Sequence, residues 1–311
     1  MRSAKRKSIL EAAMERSRFV VESVFWRKVI DATVAYVPAI FHAPAIWLAA
    51  VVFFFVATPA RKSLLQNLKL VRPESWRAAN YFRVIRVFAN FGWSLTDTAA
   101  YRILNARFRY GLEGMRFLEQ LASTKSGIVL TAHMGSYDLA AALFSQKFHR
   151  VIRMVRAPES DPRSAQHVDL ALHQASAGAV QVGYSDDGTS LAFDLLSALR
   201  AGEIISIQGD RIVGDVGRAN VSLFDREIPL PNGPFVLSLV SEAPIYPVFI
   251  VRLSYRKYKI VAREPIACAR SNASRDERIS EGMQRWASVL QEITRTYWPH
   301  WFAFTPLLKQ D

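Results

Sequence analysis

The sequence predicts an α/β protein, in which a central mixed, largely parallel sheet is flanked by helices and preceded by an N-terminal helical arm that associates with a membrane. Two patterns predict this architecture. After residue 107, short apolar runs rich in β-branched residues alternate with stretches in which apolar residues recur at helical spacing. Before residue 60, a long tract lacks charge altogether. A chain of 311 residues is long enough for one large domain with an appendage.

The N-terminal arm combines a basic segment with an uncharged one. Residues 1–31 have the pattern of a basic amphipathic helix, and residues 32–60 contain no Asp, Glu, Lys or Arg. Pro38 and Pro44 are expected to interrupt the uncharged tract and leave only residues 45–57 unbroken, which is short of the roughly 20 residues that cross a bilayer. Basic residues on both flanks favour a re-entrant or interfacial segment on an anionic leaflet, and a buried core helix is the alternative.

The remainder of the chain predicts the sheet and its helices. Helical spacing extends over residues 60–70 and 74–105. The predicted strands are 107–112, 127–132, 150–155, 179–182, 203–207, 244–252 and 257–262. The predicted helices between and after them are 114–123, 137–147, 162–176, 188–200, 234–241 and 275–297. We therefore expect two parts, a membrane-associating segment over 1–60 and an α/β domain over 61–311.

The strongest candidate for chemistry is the pair His133 and Asp138. A buried strand over residues 128–131 leads into a turn at Gly135, and Ser136 is placed to cap the following helix. On one regular helix the two side chains would lie about 140° apart, whereas a strand–turn–helix junction allows them to converge. His133 then stands at the carboxyl end of a strand, where open α/β sheets bind ligands. The pattern suits an imidazole that a carboxylate orients as a general base.

Two further strand ends carry polar residues. Gly209, Asp210 and Arg211 follow one predicted strand, and Arg156 ends another. An arginine at this edge can hold a phosphate or carboxylate through two hydrogen bonds. The alternative for Asp210 and Arg211 is a solvated turn closed by an ion pair.

Composition limits the classes of partner. The formal net charge of +13 favours an anionic partner, which is nucleic acid, anionic lipid or a phosphorylated substrate. The single Cys268 excludes an intrachain disulfide, and the histidine spacing indicates no metal site. Signatures of helix-turn-helix, zinc-dependent or aromatic RNA binding are not visible in the sequence.

Four segments in order resemble the lysophospholipid acyltransferase superfamily. The pair His133-x4-Asp138 matches its first block, and Arg156 matches the arginine of the second. The segment 208–211 (Gln-Gly-Asp-Arg) stands where glycerolipid enzymes have Glu-Gly-Thr-Arg, and 244–247 (Pro-Ile-Tyr-Pro) matches the fourth block. Within the superfamily, the chain is similar to the bacterial late lipid A (Kdo-linked lipid) acyltransferases and the phosphatidylinositol mannoside acyltransferases. The likeness runs from about residue 25 to the end.

This resemblance implies a glycerol-3-phosphate acyltransferase-like fold and an O-acyl transfer reaction at the cytoplasmic face of a bacterial inner membrane. Acyl-carrier protein or acyl-coenzyme A would donate the chain to a hydroxyl of a lipid or glycolipid acceptor, with no cofactor or metal. The glutamine at 208, in place of glutamate, favours an acceptor larger than glycerol 3-phosphate. A lipid hydrolase using the same residues on water is the first alternative, and a basic nucleic-acid-binding protein is the second.

Under this interpretation His133 is the general base and Asp138 orients it. The substrate-binding residues are Arg156, Gly209, Asp210 and Arg211. Backbone amides near Gly135 or Gly209 are the expected donors to the oxyanion of the tetrahedral intermediate.

Overall fold

The computed structural model describes residues 24–156, 178–184, 188–214, 216–268 and 273–308, together with residues 169, 170, 173 and 176. The described chain forms two compact units. One unit holds described residues 24–106 and 303–308, and the other holds those from 107 to 302. Most of the predicted helices over 1–31 and 162–176 lies outside the described residues. The boundary expected near residue 60 concerns membrane association, and it stays a prediction.

The first unit is helical. Its elements are α1 (Val24–Tyr36), a 3₁₀ turn (Ala39–Phe41), α2 (His42–Val56), α3 (Thr58–Val71) and α4 (Arg77–Leu104). Helices α1 and α2 both pack on α4. The buried side chain of Asn67 holds residues 303–307 within this unit. Its Nδ2 donates to the carbonyls of Ala303 and Thr305, both at 2.9 Å. Its Oδ1 accepts a hydrogen bond from the Leu307 amide.

The prediction that Pro44 interrupts the apolar tract is wrong. Helix α2 begins at His42, so Pro44 falls in the first turn, where a proline removes no helical hydrogen bond. Together with the 3₁₀ turn, Ala39–Val56 forms a continuous apolar stretch of 18 residues, of which 17% is buried. Its length and hydropathy would permit a membrane span, although core helices and signal sequences share both properties.

The second unit is built on the predicted sheet. Its elements are β1 (Arg109–Glu113), α5 (Met115–Ser123), β2 (Gly127–Thr131), α6 (Tyr137–Phe148), β3 (Ile152–Arg156), β4 (Val180–Tyr184), α7 (Gly188–Arg200), β5 (Ile204–Gln208), β6 (Arg218–Leu223), β7 (Arg226–Pro231), α8 (Gly233–Ser241), β8 (Ile245–Ser254), β9 (Lys257–Ala262), α9 (Arg275–Tyr297) and a 3₁₀ turn (Trp298–His300). Among the described residues, seven strands form one sheet in the order β1-β9-β8-β2-β5-β3-β4. All neighbours are parallel except β8 and β9. The predicted α/β class is therefore confirmed.

Strand β2 lies inside the sheet, where β8 and β5 flank it. Ile128 and Leu130 are fully buried, as expected for a strand covered on both faces. The ring of Trp286 on α9 stacks on Phe249 of β8, with centroids 5.7 Å apart. The segment that follows α9 returns to the edge where β2 ends, since His300 and Phe302 form main-chain hydrogen bonds with Gly135 and His133.

The sequence did not predict the hairpin of β6 and β7. Its two-residue turn places Phe224 and Asp225 at φ values of 55° and 57°, which usually select Asn or Gly. Two glutamines of α9 support it: Gln284 pairs with both main-chain groups of Ser222, and Gln291 accepts from the Phe224 amide. Tertiary contacts thus hold a turn in which Phe224 takes a conformation that an aromatic residue rarely adopts.

Candidate active site

Two neighbouring parallel strands deliver the central residues of the site. In the register of β2 and β5, Thr131 lies opposite Gln208, and each is the last residue of its strand. His133 follows two residues after the first, and Asp210 two residues after the second. Equal offsets from paired strand ends bring these two side chains to the same place at the carboxyl edge of the sheet.

His133 and Asp210 are joined by two hydrogen bonds to one carboxylate oxygen. His133 Nδ1 lies 2.7 Å from Asp210 Oδ1, and the same oxygen accepts the His133 main-chain amide at 3.2 Å. Since the carboxylate only accepts, Nδ1 carries the proton and the neutral ring presents Nε2 as a proton acceptor. The imidazole is partly accessible, with 17% of its side-chain surface exposed. This geometry would allow the imidazole to act as a general base.

Asp210 is held as a buried anion. Its second oxygen, Oδ2, accepts a hydrogen bond of 2.8 Å from the indole Nε1 of Trp301. Burial alone would raise the pKa of the Asp210 carboxyl, but His133, Arg211 and Trp301 together hold that pKa far below its ordinary value. The carboxylate therefore stays ionised across the physiological pH range.

His133 is poised in its neutral form. Burial lowers the pKa of the imidazole, and the positive charges of Arg211 and Arg156 lower it further. The charge and hydrogen bond of Asp210 oppose this effect, but the pKa stays below its ordinary value of 6.5. A base that is already deprotonated at neutral pH requires no prior loss of a proton.

The structure pairs Asp138 with a different partner from the one predicted. Asp138 does occupy the first turn of α6, as expected. Its Oδ1 accepts a hydrogen bond of 2.7 Å from Arg156, at the end of β3, and the imidazole of His133 is instead held by Asp210. The guanidinium of Arg156 also lies over the ring of Tyr137, with its carbon 5.7 Å from the centroid. The prediction that Asp138 orients His133 is therefore wrong in geometry, and Asp138 positions Arg156.

The oxyanion donors were expected among the backbone amides near Gly135 or Gly209; the amides of these two glycines are themselves engaged, and for the neighbouring amides the expectation stays a prediction. The Gly209 amide donates to the Thr131 carbonyl and the Gly135 amide to the His300 carbonyl, both at 2.9 Å. Both glycines instead allow close approach. A Cβ on Gly135, which has φ 58°, would lie 2.0 Å from the Ile250 carbonyl oxygen, and one on Gly209 would lie 2.7 Å from Leu130 Cδ1.

A short segment after α9 forms hydrogen bonds with the loop that carries His133. The Phe302 amide donates to the His133 carbonyl at 2.7 Å, and Met134 forms an antiparallel bridge with Trp301. Arg211 Nη1 donates to the Phe302 carbonyl at 3.2 Å. Ser136 stands at the N-cap position, but its hydroxyl lies 3.3 Å from the Tyr258 hydroxyl and caps no amide. We refer to residues 300–302 as the closing segment.

Sequence reasoning missed Trp301 and the role of Asp210. A buried indole N–H needs an acceptor, so the tryptophans of the aromatic stretch 297–302 were a signal. The acceptor could not be identified, because Trp301 and Asp210 are 91 residues apart.

In the described part of the chain, no group of three or more His, Cys, Asp or Glu side chains is arranged to hold a metal ion.

A buried carboxylate that fixes an imidazole at the carboxyl edge of a parallel sheet defines the class: an α/β protein with a site suited to base-assisted chemistry. The chain belongs to the bacterial lipid A biosynthesis acyltransferase family, whose sequence model matches residues 16–310. No curated protein matches the chain. The resemblance inferred from the motifs is thus confirmed at the level of the family, which makes the protein a membrane-associated lipid acyltransferase.

Proposed function

We propose that the protein transfers a fatty acyl chain from an acyl thioester to a hydroxyl of a lipid or glycolipid acceptor, with His133 as the general base. The observation that carries this proposal is the bond between His133 Nδ1 and Asp210 Oδ1, which directs Nε2 toward a substrate proton. Asp138, named with His133 from the sequence, takes the role of positioning Arg156.

The acceptor oxygen attacks the thioester carbonyl while its proton passes to Nε2 of His133. Asp210 stabilises the imidazolium that forms, as the carboxylate of a catalytic triad does. When the tetrahedral intermediate collapses, the carbon–sulfur bond breaks and the imidazolium protonates the leaving thiolate. The acceptor hydroxyl supplies the proton and His133 carries it to the thiolate, so the step balances and the proposal requires no cofactor or metal.

Arg156 and Arg211 are the proposed substrate-binding cations. Both lie near enough to His133 to lower the pKa of its imidazole. Acyl-carrier protein and acyl-coenzyme A are both anionic, and so are phosphorylated lipid acceptors, so these arginines suit either substrate. Gly209 shapes the turn that places Asp210 and Arg211. The glutamine at 208 favours a large lipid or glycolipid acceptor. The reaction would take place at the cytoplasmic face of the bacterial inner membrane.

The test uses the full chain in vesicles, with an acyl thioester and a candidate lipid acceptor, and follows both products by mass spectrometry. His133→Asn should abolish acylation of the acceptor. His149→Asn is the matched control, because His149 is exposed at φ 54°, a conformation that asparagine tolerates. Acylation by the His133 variant near the wild-type rate would overturn the mechanism. Free fatty acid in place of acylated acceptor would identify a hydrolase.

A further inference from the structure

The helical unit contains an apolar cavity of about 230 Å³ between α1, α2 and α4. Trp26 of α1, Ala45 and Ala49 of α2, and Phe91 of α4 are among its walls. Its volume exceeds that of the roughly 150 Å³ engineered apolar cavity that stays dry and admits benzene. A space of this size is large enough for a stretch of hydrocarbon.

Small side chains create the cavity. Where α2 and α4 approach, a Cβ on Gly92 would lie only 3.2 Å from Ile46 Cγ2. Beside this contact, Ala45 and Ala49 face the cavity with a single methyl group each, so close packing at one point leaves room at the next. Both alanines are exposed.

The polar side chains Thr33, His42 and Thr96, which also line the cavity, have main-chain partners. Thr33 and Thr96 each donate to a carbonyl four residues earlier in their helices, at 2.7 and 2.8 Å. His42 Nε2 lies 3.0 Å from a carbonyl five residues earlier. Because these groups are already hydrogen-bonded, they are poorly placed to bind a headgroup or a thioester. The cavity therefore suits an alkyl chain.

The exposed side of α2 that borders the cavity, which we call its outer face, indicates where such a chain comes from. Leu48, Val52 and Phe55 are 68%, 51% and 67% exposed there, which is a hydrocarbon-facing composition. In a membrane-associated family, the molecules adjacent to such a face are bilayer lipids. We propose that the cavity between α1, α2 and α4 holds one acyl chain of a bilayer phospholipid, bound as a structural lipid. This inference does not depend on the reaction proposed above.

The experiment uses the full chain in phosphatidylethanolamine–phosphatidylglycerol vesicles containing a phosphatidylcholine with a diazirine on its acyl chain. After illumination, peptide mass spectrometry locates the labelled residues. Labels are expected on Phe91 and Leu95, which line the cavity, as well as on the outer face of α2 at Leu48 and Val52.

Filling the cavity provides the decisive comparison. Ala49→Leu should reduce labelling of Phe91 and Leu95 by about tenfold, the factor that excluding roughly two methylenes of the chain corresponds to. Ala43→Leu is the matched control on the same helix, because Ala43 is exposed and does not line the cavity. Labelling of the outer face should persist in both variants. Ala45→Leu is a second filling variant if the first fails to fold.

Three outcomes would overturn the inference. The first is labelling confined to the outer face of α2 in the wild-type chain. The second is undiminished labelling of Phe91 and Leu95 in every folded filling variant. The third is displacement of the label by an unlabelled acyl thioester, which would assign the cavity to a substrate chain.

Discussion

His133 Nδ1 and Asp210 Oδ1 lie 2.7 Å apart although 77 residues separate them in the sequence. The contact exists because β2 and β5 are parallel neighbours whose last residues are in register. Asp210 therefore determines which ring nitrogen of His133 carries the proton.

Asp210→Asn should reduce kcat by about 10⁴-fold, the loss found when the orienting aspartate of a serine protease triad becomes asparagine. The amide can donate to Nδ1, which moves the proton to Nε2 and removes the base. Steady-state kinetics of acceptor acylation measure the effect. A variant that keeps more than a tenth of the wild-type kcat would show that Asp210 does not set the tautomer.

Asp138→Asn makes the same chemical change at the other carboxylate and should have a different effect. It weakens the bond that fixes Arg156, so kcat/KM should fall by about 10²-fold, as a misplacement of about 1 Å can cause. The pH dependence of the remaining activity should match that of the wild type, because Asp138 does not contact the imidazole. An altered acid limb would instead connect Asp138 to the base.

The pH profile should report the neutral imidazole. Burial and two neighbouring arginines lower the pKa of His133 below 6.5, so the acid limb of kcat/KM should have its midpoint below pH 6.5. Asp210 raises this pKa, and hence in the Asp210 variant any residual acid limb should move to still lower pH. An acid limb above pH 6.5 in the wild type would contradict the predicted environment.

Trp301→Phe should lower kcat by about tenfold and leave KM little changed. The variant removes the donor to Asp210 Oδ2, and the carboxylate is then less firmly directed at the imidazole. Trp286→Phe is the matched control, since its buried indole donates to the Gly209 carbonyl instead. Both variants should lose about 1–3 kcal/mol of stability in denaturant unfolding, because each leaves a buried acceptor unsatisfied. Equal kcat in the two would assign Trp301 a structural role only.

Gly209→Ala should destabilise the protein by about 1–3 kcal/mol, because the added methyl overlaps Leu130 Cδ1 in a closely packed core. Leu130→Val shortens that side chain, so the double variant should be more stable than the sum of the two single changes predicts. Gly233→Ala is the control, as a Cβ there meets nothing within 4 Å. Additive effects in denaturant unfolding would argue against the overlap.

The sequence predicted the strands of the sheet because most are short apolar runs or alternate apolar with polar residues, and all seven lie within a few residues of their expected bounds. It also predicted that His133, Arg156 and Asp210 follow or end strands. It could not predict that β5 lies beside β2, since strand order is decided by packing across the whole sheet.

Because the strand order is not visible in the sequence, the sequence predicts Asp138, the nearer carboxylate along the chain, as the partner of His133. A spacing of five residues made Asp138 the natural choice, and nothing in the local pattern indicates that β3 ends with an arginine in contact with it. The hairpin of β6 and β7 was missed because its turn has neither Gly nor Asn. Its support comes from Gln284 and Gln291, about sixty residues later.

The closing segment has a consequence for biosynthesis. Every strand of the sheet leaves the ribosome before residues 300–302, yet the His133 carbonyl, the Gly135 amide and Asp210 Oδ2 all find their partners in those three residues. Domains form as the chain emerges, so a nascent sheet can assemble while its loop still lacks these bonds. The site therefore cannot be complete until residues 300–302 have been translated, and we expect chains that end before residue 300 to lack activity.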